Sequence, residues 1–164
     1  MSIMTSLREE FNQESAVTRR ILACLPEHRF GWKPHPKSMS LGHLANHIVD
    51  IVGWTGVIVR RKSFEFDSAH YVPTQHDRLS ALLEAYDVAA ADAAAALTEL
   101  SDNQLGAPWR LVDAGRTIFE LPRLTVLRSW MFHHTVHHRA QLTVYLRLND
   151  IPVPSVYGPS ADTQ

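Results

Sequence analysis

The sequence predicts an all-α protein that folds as a four-helix bundle. Four long segments carry apolar residues at the three- and four-residue spacing of a helix that buries one face. Stretches that contain proline or glycine separate these segments and interrupt the helical pattern. Because 164 residues are enough for one hydrophobic core, we expect a single domain over residues 1–164.

The limits of each helix follow from local breakers and caps. Pro26 ends the first helix, because proline cannot continue a helix from this position. Ser38 or Ser40 can cap the second helix, and Thr74 with Asp77 resembles a capping arrangement before the third. The predicted helices span about residues 5–25, 41–61, 75–100 and 123–148.

Two connections between helices are long enough for structure of their own. Residues 62–73 have no clear pattern and are expected to form a loop. Residues 109–119 suggest two short extended pieces about a turn at 113–115. We therefore expect a short β-hairpin between the third and fourth helices.

Composition excludes several classes of function. The formal net charge is −1, so the protein has no overall field that attracts nucleic acid. No segment approaches the roughly 20 consecutive apolar residues of a membrane-spanning helix. A single cysteine excludes an intramolecular disulfide, and the N-terminus lacks a secretory signal pattern. We expect a cytoplasmic protein that binds neither nucleic acid nor membranes.

Histidine is the unusual component, with ten in the chain and four of them within residues 133–138. On a helix, His134 and His138 fall on one apolar stripe, whereas His133 and His137 lie on its flank. The other members of the stripe are Leu127, Met131, Leu142 and Tyr145. The opposite, outer side of this helix is predicted to carry Arg128, Ser129, Arg139, Thr143 and Arg147. Two imidazoles in the middle of a buried face are costly unless a partner satisfies both rings.

The second helix offers a third imidazole. His47 lies at the edge of its apolar inner face, whereas His43 turns further out. Two histidines four residues apart and one from a facing helix can bind a single metal ion and leave coordination positions open. A pair of hydrogen-bonded core or interface histidines without metal is the alternative. Thr135 occupies the place of the glutamate in the zinc-protease pattern, so that reaction is unsupported.

Three stretches of the chain resemble the DinB/YfiT-like metalloproteins. His134-Thr135-Val136-His137-His138-Arg139-Ala140-Gln141 is similar to the family's His-x-x-x-His-Arg-Gly-Gln motif, with Ala140 in place of glycine. The segment 40–48 resembles the family's Leu-x-x-His segment on the second helix, and 152–160 resembles its C-terminal tail. The resemblance covers most of the chain, with the motifs in the same order.

The resemblance implies a DinB/YfiT-like bundle of unusual connectivity, frequent homodimers and metal ligands at His47, His134 and His138. The metal would be a divalent ion such as zinc, nickel or iron. Some members of the family resemble thiol S-transferases or isomerases, and the former implies a small electrophilic substrate and a low-molecular-weight thiol. The alternative is a non-catalytic binding or stress-response module whose metal site is structural or vestigial. No catalytic residue is identified, although Asp50 and Gln141 are candidates for orienting a metal-binding histidine.

Overall fold

The computed structural model describes residues 2–163, and four helices dominate it. The first three helices are Ile3–Ala23, Leu41–Arg60 and Leu79–Thr98. The fourth helix is continuous and consists of the α-helical segments Arg123–Val126 and His134–Leu148, with the π-helical segment Leu127–His133 between them. Short 3-10 turns lie at Glu27–Arg29 and Asp102–Gln104. The four predicted helices are confirmed.

The helices surround one core in an order that differs from their order in the chain. The second helix packs against the third and the fourth, and the first helix also packs against the third and the fourth. Successive helices one and two are therefore diagonal to each other, as are three and four. This connectivity brings the second and fourth helices, which carry the candidate histidines, side by side.

Helix periodicity explains which faces are buried. On the second helix the predicted inner face is buried throughout, with members Leu41, Leu44, Ile48, Ile51, Val52, Thr55 and Val59. On the fourth helix the apolar members of the predicted stripe are buried as well. On the second helix, a methyl group at Gly56 would lie 2.5 Å from Oδ2 of Asp92, whose side chain comes from the third helix. Only glycine fits there unless that carboxylate moves.

A three-stranded sheet covers one end of the bundle, so the prediction of an all-α fold is wrong in this respect. The predicted hairpin is present as β2, Pro108–Asp113, and β3, Arg116–Pro122. Ala114 and Gly115 form the turn with positive φ, the geometry that favours a two-residue hairpin loop. The strand β1, Ser63–Phe66, was expected to be loop and pairs in parallel with β2.

The sheet presents aromatic side chains to the helices. In the registers of the two strand pairs, Phe64 lies beside Leu111, and Leu111 lies beside Phe119. Because alternate residues of a strand face the same side, Phe66 shares the inner face with Phe64. The two phenylalanine rings are stacked 5.9 Å apart. All four side chains pack against the hydrophobic core.

Helix N-termini are capped in two ways. Ser40 caps the second helix locally, and its hydroxyl accepts a hydrogen bond from the backbone N–H of His43. The third helix begins at Leu79 rather than near residue 75, because its cap is the distant carboxylate of Glu27, 2.7 Å from the N–H of Leu79. Asp102 likewise accepts hydrogen bonds from the first two N–H groups of the first helix, at 3.0 and 2.9 Å.

Within residues 2–163, none of the helices combines the length and the apolar character that crossing a membrane requires.

Candidate metal centre

Three histidines from two helices meet on the inner side of the bundle. His47 comes from the second helix, and His134 and His138 come from the first turns of the last α-helical segment. One ring nitrogen of each lies within 4.8 Å of the corresponding nitrogens of the other two. The Nε2 atoms of His47 and His134 are 3.3 Å apart. The structure thus brings together the three residues that the sequence singled out.

The neighbouring histidines point elsewhere. His133 and His137 are exposed, in agreement with their expected place on the flank of the helix. The ring of His137 touches His138 at 4.8 Å between centroids but lies outside the group of converging nitrogens. His43 is half-buried one turn before His47, and it too lies outside that group.

The environment of the three histidines keeps their rings neutral. Burial is the main cause that lowers the pKa of His47 to about 4, and the neighbouring rings of His138 and His134 lower it further. Burial and His138 lower the pKa of His134 to about 4 as well. The pKa of His138 is also lowered by burial. At neutral pH each imidazole therefore has a lone pair free to bind a cation.

Hydrogen bonds on the far side of the rings fix their orientation. Nδ1 of His138 donates to Oε1 of Gln141, one turn later, at 2.7 Å. This bond places the proton on Nδ1 and leaves Nε2 unprotonated, so that the lone pair of Nε2 can bind a metal ion. The ring of His134 is hydrogen-bonded to the backbone of Trp130, which partly offsets the lowering of its pKa. Such outer hydrogen bonds are typical of histidines that bind metals.

The arrangement fits a divalent transition-metal ion. Two nitrogens that bind one tetrahedral ion at about 2.0–2.1 Å are about 3.3–3.4 Å apart, close to the separation of the His47 and His134 nitrogens. Three neutral nitrogen ligands suit zinc, nickel or iron better than magnesium or calcium, which prefer oxygen. Without an ion, a hydrogen bond between the two neutral rings satisfies the same 3.3 Å contact.

Asp50, the other candidate for orienting a histidine, has a different partner. Its carboxylate accepts a hydrogen bond of 3.4 Å from the hydroxyl of Tyr71. Burial raises the pKa of this carboxyl group, and the hydrogen bond from Tyr71 opposes that shift. Asp50 therefore links the second helix to the loop that follows β1.

Arg139 follows His138 in the sequence but points into the protein. Helical spacing predicts it on the outer side of the fourth helix, and that prediction is wrong, since only 1% of the residue is exposed. Its guanidinium binds the carboxylate of Glu14 at 2.6 Å and the hydroxyl of Thr18 at 3.1 Å. It also donates to the Tyr157 hydroxyl, which in turn donates to Glu14. This network ties the histidine helix to the first helix and to the C-terminal tail.

Comparison with known proteins agrees with this picture. The profile of the DinB family matches residues 1–163. The chain belongs to the DinB family. No match was found among curated proteins.

Two solved structures share the DinB fold of this chain. A DinB-like protein from Bacillus cereus is 24% identical, with a TM-score of 0.68 over 91% of this chain and 94% of its own. The DinB-like protein YjoA from Bacillus subtilis is 21% identical, with a TM-score of 0.67 over 93% of this chain and 99% of its own. The mixed helical and three-stranded architecture is therefore that of DinB-like proteins.

Proposed function

We propose that His47, His134 and His138 bind one divalent metal ion and that this DinB-family protein is a metal-dependent thiol S-transferase. The observation that carries the proposal is the convergence of three neutral imidazole nitrogens from two facing helices. Membership of the DinB family supports it, because the residues that converge are those to which the resemblance to the family's histidine motifs assigns the metal.

The chemistry follows from the charge of the site. When bound, a divalent ion supplies the positive charge that favours the thiolate form of a thiol and leaves a position open for it. The chain provides neutral ligands, so that this charge is not cancelled. Gln141 orients His138, and the half-buried rings around the site limit access of water. The sulfur of a low-molecular-weight thiol then forms a bond to an electrophilic carbon, the leaving group departs with its electron pair, and the thiol proton goes to solvent.

The first test is the metal itself. Elemental analysis of the purified protein is expected to find about one divalent ion per chain, and the identity of the metal is read from the same measurement. His138→Ala should lose the metal, because it removes one of three ligands. His137→Ala is the matched control, since this histidine is exposed and adjacent in sequence, and it should retain the metal. Retention of the full metal content by His138→Ala would contradict the proposed ligand set.

The second test is turnover. Metal-loaded protein is mixed with glutathione, mycothiol or bacillithiol and a haloarene, and formation of the thioether is followed with and without a chelator. We expect a thioether that forms only with metal. If metal is bound but no thiol gives an adduct, the proposed reaction is wrong and the site is that of a non-catalytic module with a structural or vestigial ion.

Three further properties are expectations, and of these only the homodimer rests on the family resemblance. We expect one domain over residues 1–164, a homodimer and a cytoplasmic location. Light scattering during size-exclusion chromatography measures the oligomeric state. A single cooperative unfolding transition is the expected behaviour of one domain.

A further inference from the structure

An aromatic cavity lies between the sheet and the two histidine-bearing helices. Its volume is about 110 Å³, and it opens toward solvent on one side. The second helix, the fourth helix, the sheet and the loop after β1 each contribute to it. The lining residues are Trp54, Phe64, Phe66, Tyr71, Leu111 and Trp130.

The cavity adjoins the three histidines. The ring of Trp54 lies 5.8 Å from the ring of His47 and 6.2 Å from that of His134. Trp130 precedes His134 by four residues, and its ring lies 5.8 Å from that of Trp54. The indole of Trp54 therefore borders both the cavity and the imidazoles. A ring bound against this indole would be a neighbour of the three-histidine site.

The size of the cavity suits one ring. An apolar cavity of about 150 Å³ in another protein binds benzene, so a partly open cavity of similar size accepts a single six-membered ring. Five of the six lining residues are aromatic. Aromatic walls favour an aromatic guest over a saturated one, because offset and edge-to-face contacts add to the burial of apolar area.

The charge of the surroundings favours a neutral guest. Aromatic walls also attract cations, and Asp50 lies near the rim through its hydrogen bond with Tyr71. A divalent ion at the histidines would repel a cationic group bound against the same indole. This repulsion disfavours a cationic ligand.

We infer that this aromatic cavity binds one neutral aromatic ring of the substrate, beside the three histidines. Describing the ring as part of the substrate rests on the proposed function, whereas binding of the ring does not. The electrophile would then be a benzyl compound whose reactive carbon lies outside the ring and points from the cavity toward the site.

The binding test uses a matched pair of probes on the zinc-loaded full chain. Benzyl alcohol and cyclohexylmethanol differ in the aromaticity of the ring, and saturation-transfer NMR gives their dissociation constants. We expect benzyl alcohol to bind about fivefold more tightly. Benzyltrimethylammonium is the cationic probe and should bind more weakly than benzyl alcohol. Equal binding of the two alcohols, or tighter binding of the cation, would overturn the inference.

Substitutions of the lining residues test whether benzyl alcohol binds in the cavity. Phe66→Leu removes one aromatic wall and should weaken the binding of benzyl alcohol about fivefold, while the metal content stays unchanged. Phe30→Leu is the matched control, because this phenylalanine is also half-buried but lies outside the cavity, and it should bind as the unaltered protein does. If Phe66→Leu does not fold, Tyr71→Leu in the exposed loop replaces it. Unchanged binding in a folded cavity variant would overturn the inference.

Turnover distinguishes this inference from the proposed function. With benzyl chloride and a thiol, Phe66→Leu should raise KM while kcat changes little, because the cavity holds the ring and the reacting benzylic carbon lies outside it. Ring binding without turnover by any thiol would contradict the proposed function and leave the aromatic site intact. Turnover with the same KM in Phe66→Leu and in the unaltered protein would overturn the inference alone.

Discussion

Gln141 determines which nitrogen of His138 is free to bind a metal ion. Its Oε1 accepts a hydrogen bond from Nδ1, so Nε2 is left unprotonated on the side of the other two histidines. Helical spacing alone indicates that residues 138 and 141 can meet, because they are three apart on one helix. The sequence therefore predicts this contact, which the structure confirms.

Gln141→Leu should lower the affinity for the metal about 10- to 100-fold, because the orientation and tautomer of His138 are no longer fixed. Competition with a chromophoric chelator measures the affinity. Gln141→Glu keeps an acceptor at the same place and is expected to remain close to the unaltered protein. An unchanged affinity in the leucine variant would show that the hydrogen bond does not tune the site.

Arg139 shows where reasoning from helix faces fails at the level of one residue. A long cationic side chain next to a ligand is expected in solvent, yet it is buried against Glu14, Thr18 and Tyr157. The partners come from the first helix and the C-terminal tail, so no local pattern shows that they would be available. The burial is tolerated because the guanidinium is both paired and hydrogen-bonded.

Arg139→Met should lower the free energy of unfolding by about 3 kcal/mol, because it leaves the Glu14 carboxylate without its cation in a largely buried place. Urea denaturation measures the loss. The double variant Arg139→Met with Glu14→Gln removes the uncompensated charge and should recover much of it. A loss below about 1 kcal/mol in the single variant would mean that the pair acts like an exposed one.

At the scale of elements, the helices could be predicted and the caps only in part. Ser40 precedes its helix directly, and helical periodicity gave the inner faces of the second and fourth helices correctly. The third helix begins about four residues later than the sequence predicts, because its cap is supplied by Glu27 from a distant turn. The sequence does not predict the strand β1, because a parallel partner more than forty residues away stabilises its four residues.

Asp102→Asn should lower the stability of the protein at neutral pH and make that stability less dependent on pH in the acid range. The N–H groups of Met4 and Ile3 donate to the Asp102 carboxylate, and these bonds lower its pKa below the ordinary value. The pKa of an aspartate carboxyl in the unfolded chain is about 3.9. A carboxyl whose pKa is lower in the folded state stabilises the protein at every pH above this value, and that stabilisation is lost as the pH falls through the folded-state pKa. Thermal unfolding between neutral pH and pH 3 measures the effect. If the thermal stability of the variant and of the unaltered protein fell in parallel with pH, this role of Asp102 would be contradicted.

At the scale of the whole molecule, the connectivity and the sheet together form the site. The diagonal arrangement of successive helices places the second helix beside the fourth, so that His47 faces His134 and His138. The sheet then adds aromatic residues to the end of these two helices. Choosing the three histidines required only the apolar faces of two helices. The aromatic cavity depends on strand pairing and a loop, and no single segment of the sequence indicates it.

The metal-free protein should lose stability as the pH falls from about 6.5 toward 4. In the unfolded chain His47 and His134 take up protons near the ordinary pKa of about 6.5, whereas in the folded protein their pKa is lowered to about 4. Between these pH values the unfolded state binds more protons than the folded state, so a falling pH favours unfolding. Above about pH 6.5 both states are unprotonated at these histidines, and their contribution to the free energy of unfolding is constant. Denaturation at several pH values in the presence of a chelator measures this loss of stability. His134→Asn should show a shallower slope, and an equal slope would contradict the assignment.

Because a π-helical turn holds one more residue than an α-helical turn, the fourth helix affects how the chain should be aligned with its relatives. A relative that is α-helical throughout this region would need a one-residue gap within residues 127–133, inside a helix rather than in a loop. Without the gap, His134 and His138 would still align correctly, while Arg123 and both strands of the hairpin would be paired with the wrong positions. A substitution transferred from such a relative to the hairpin would then alter the opposite face of the sheet.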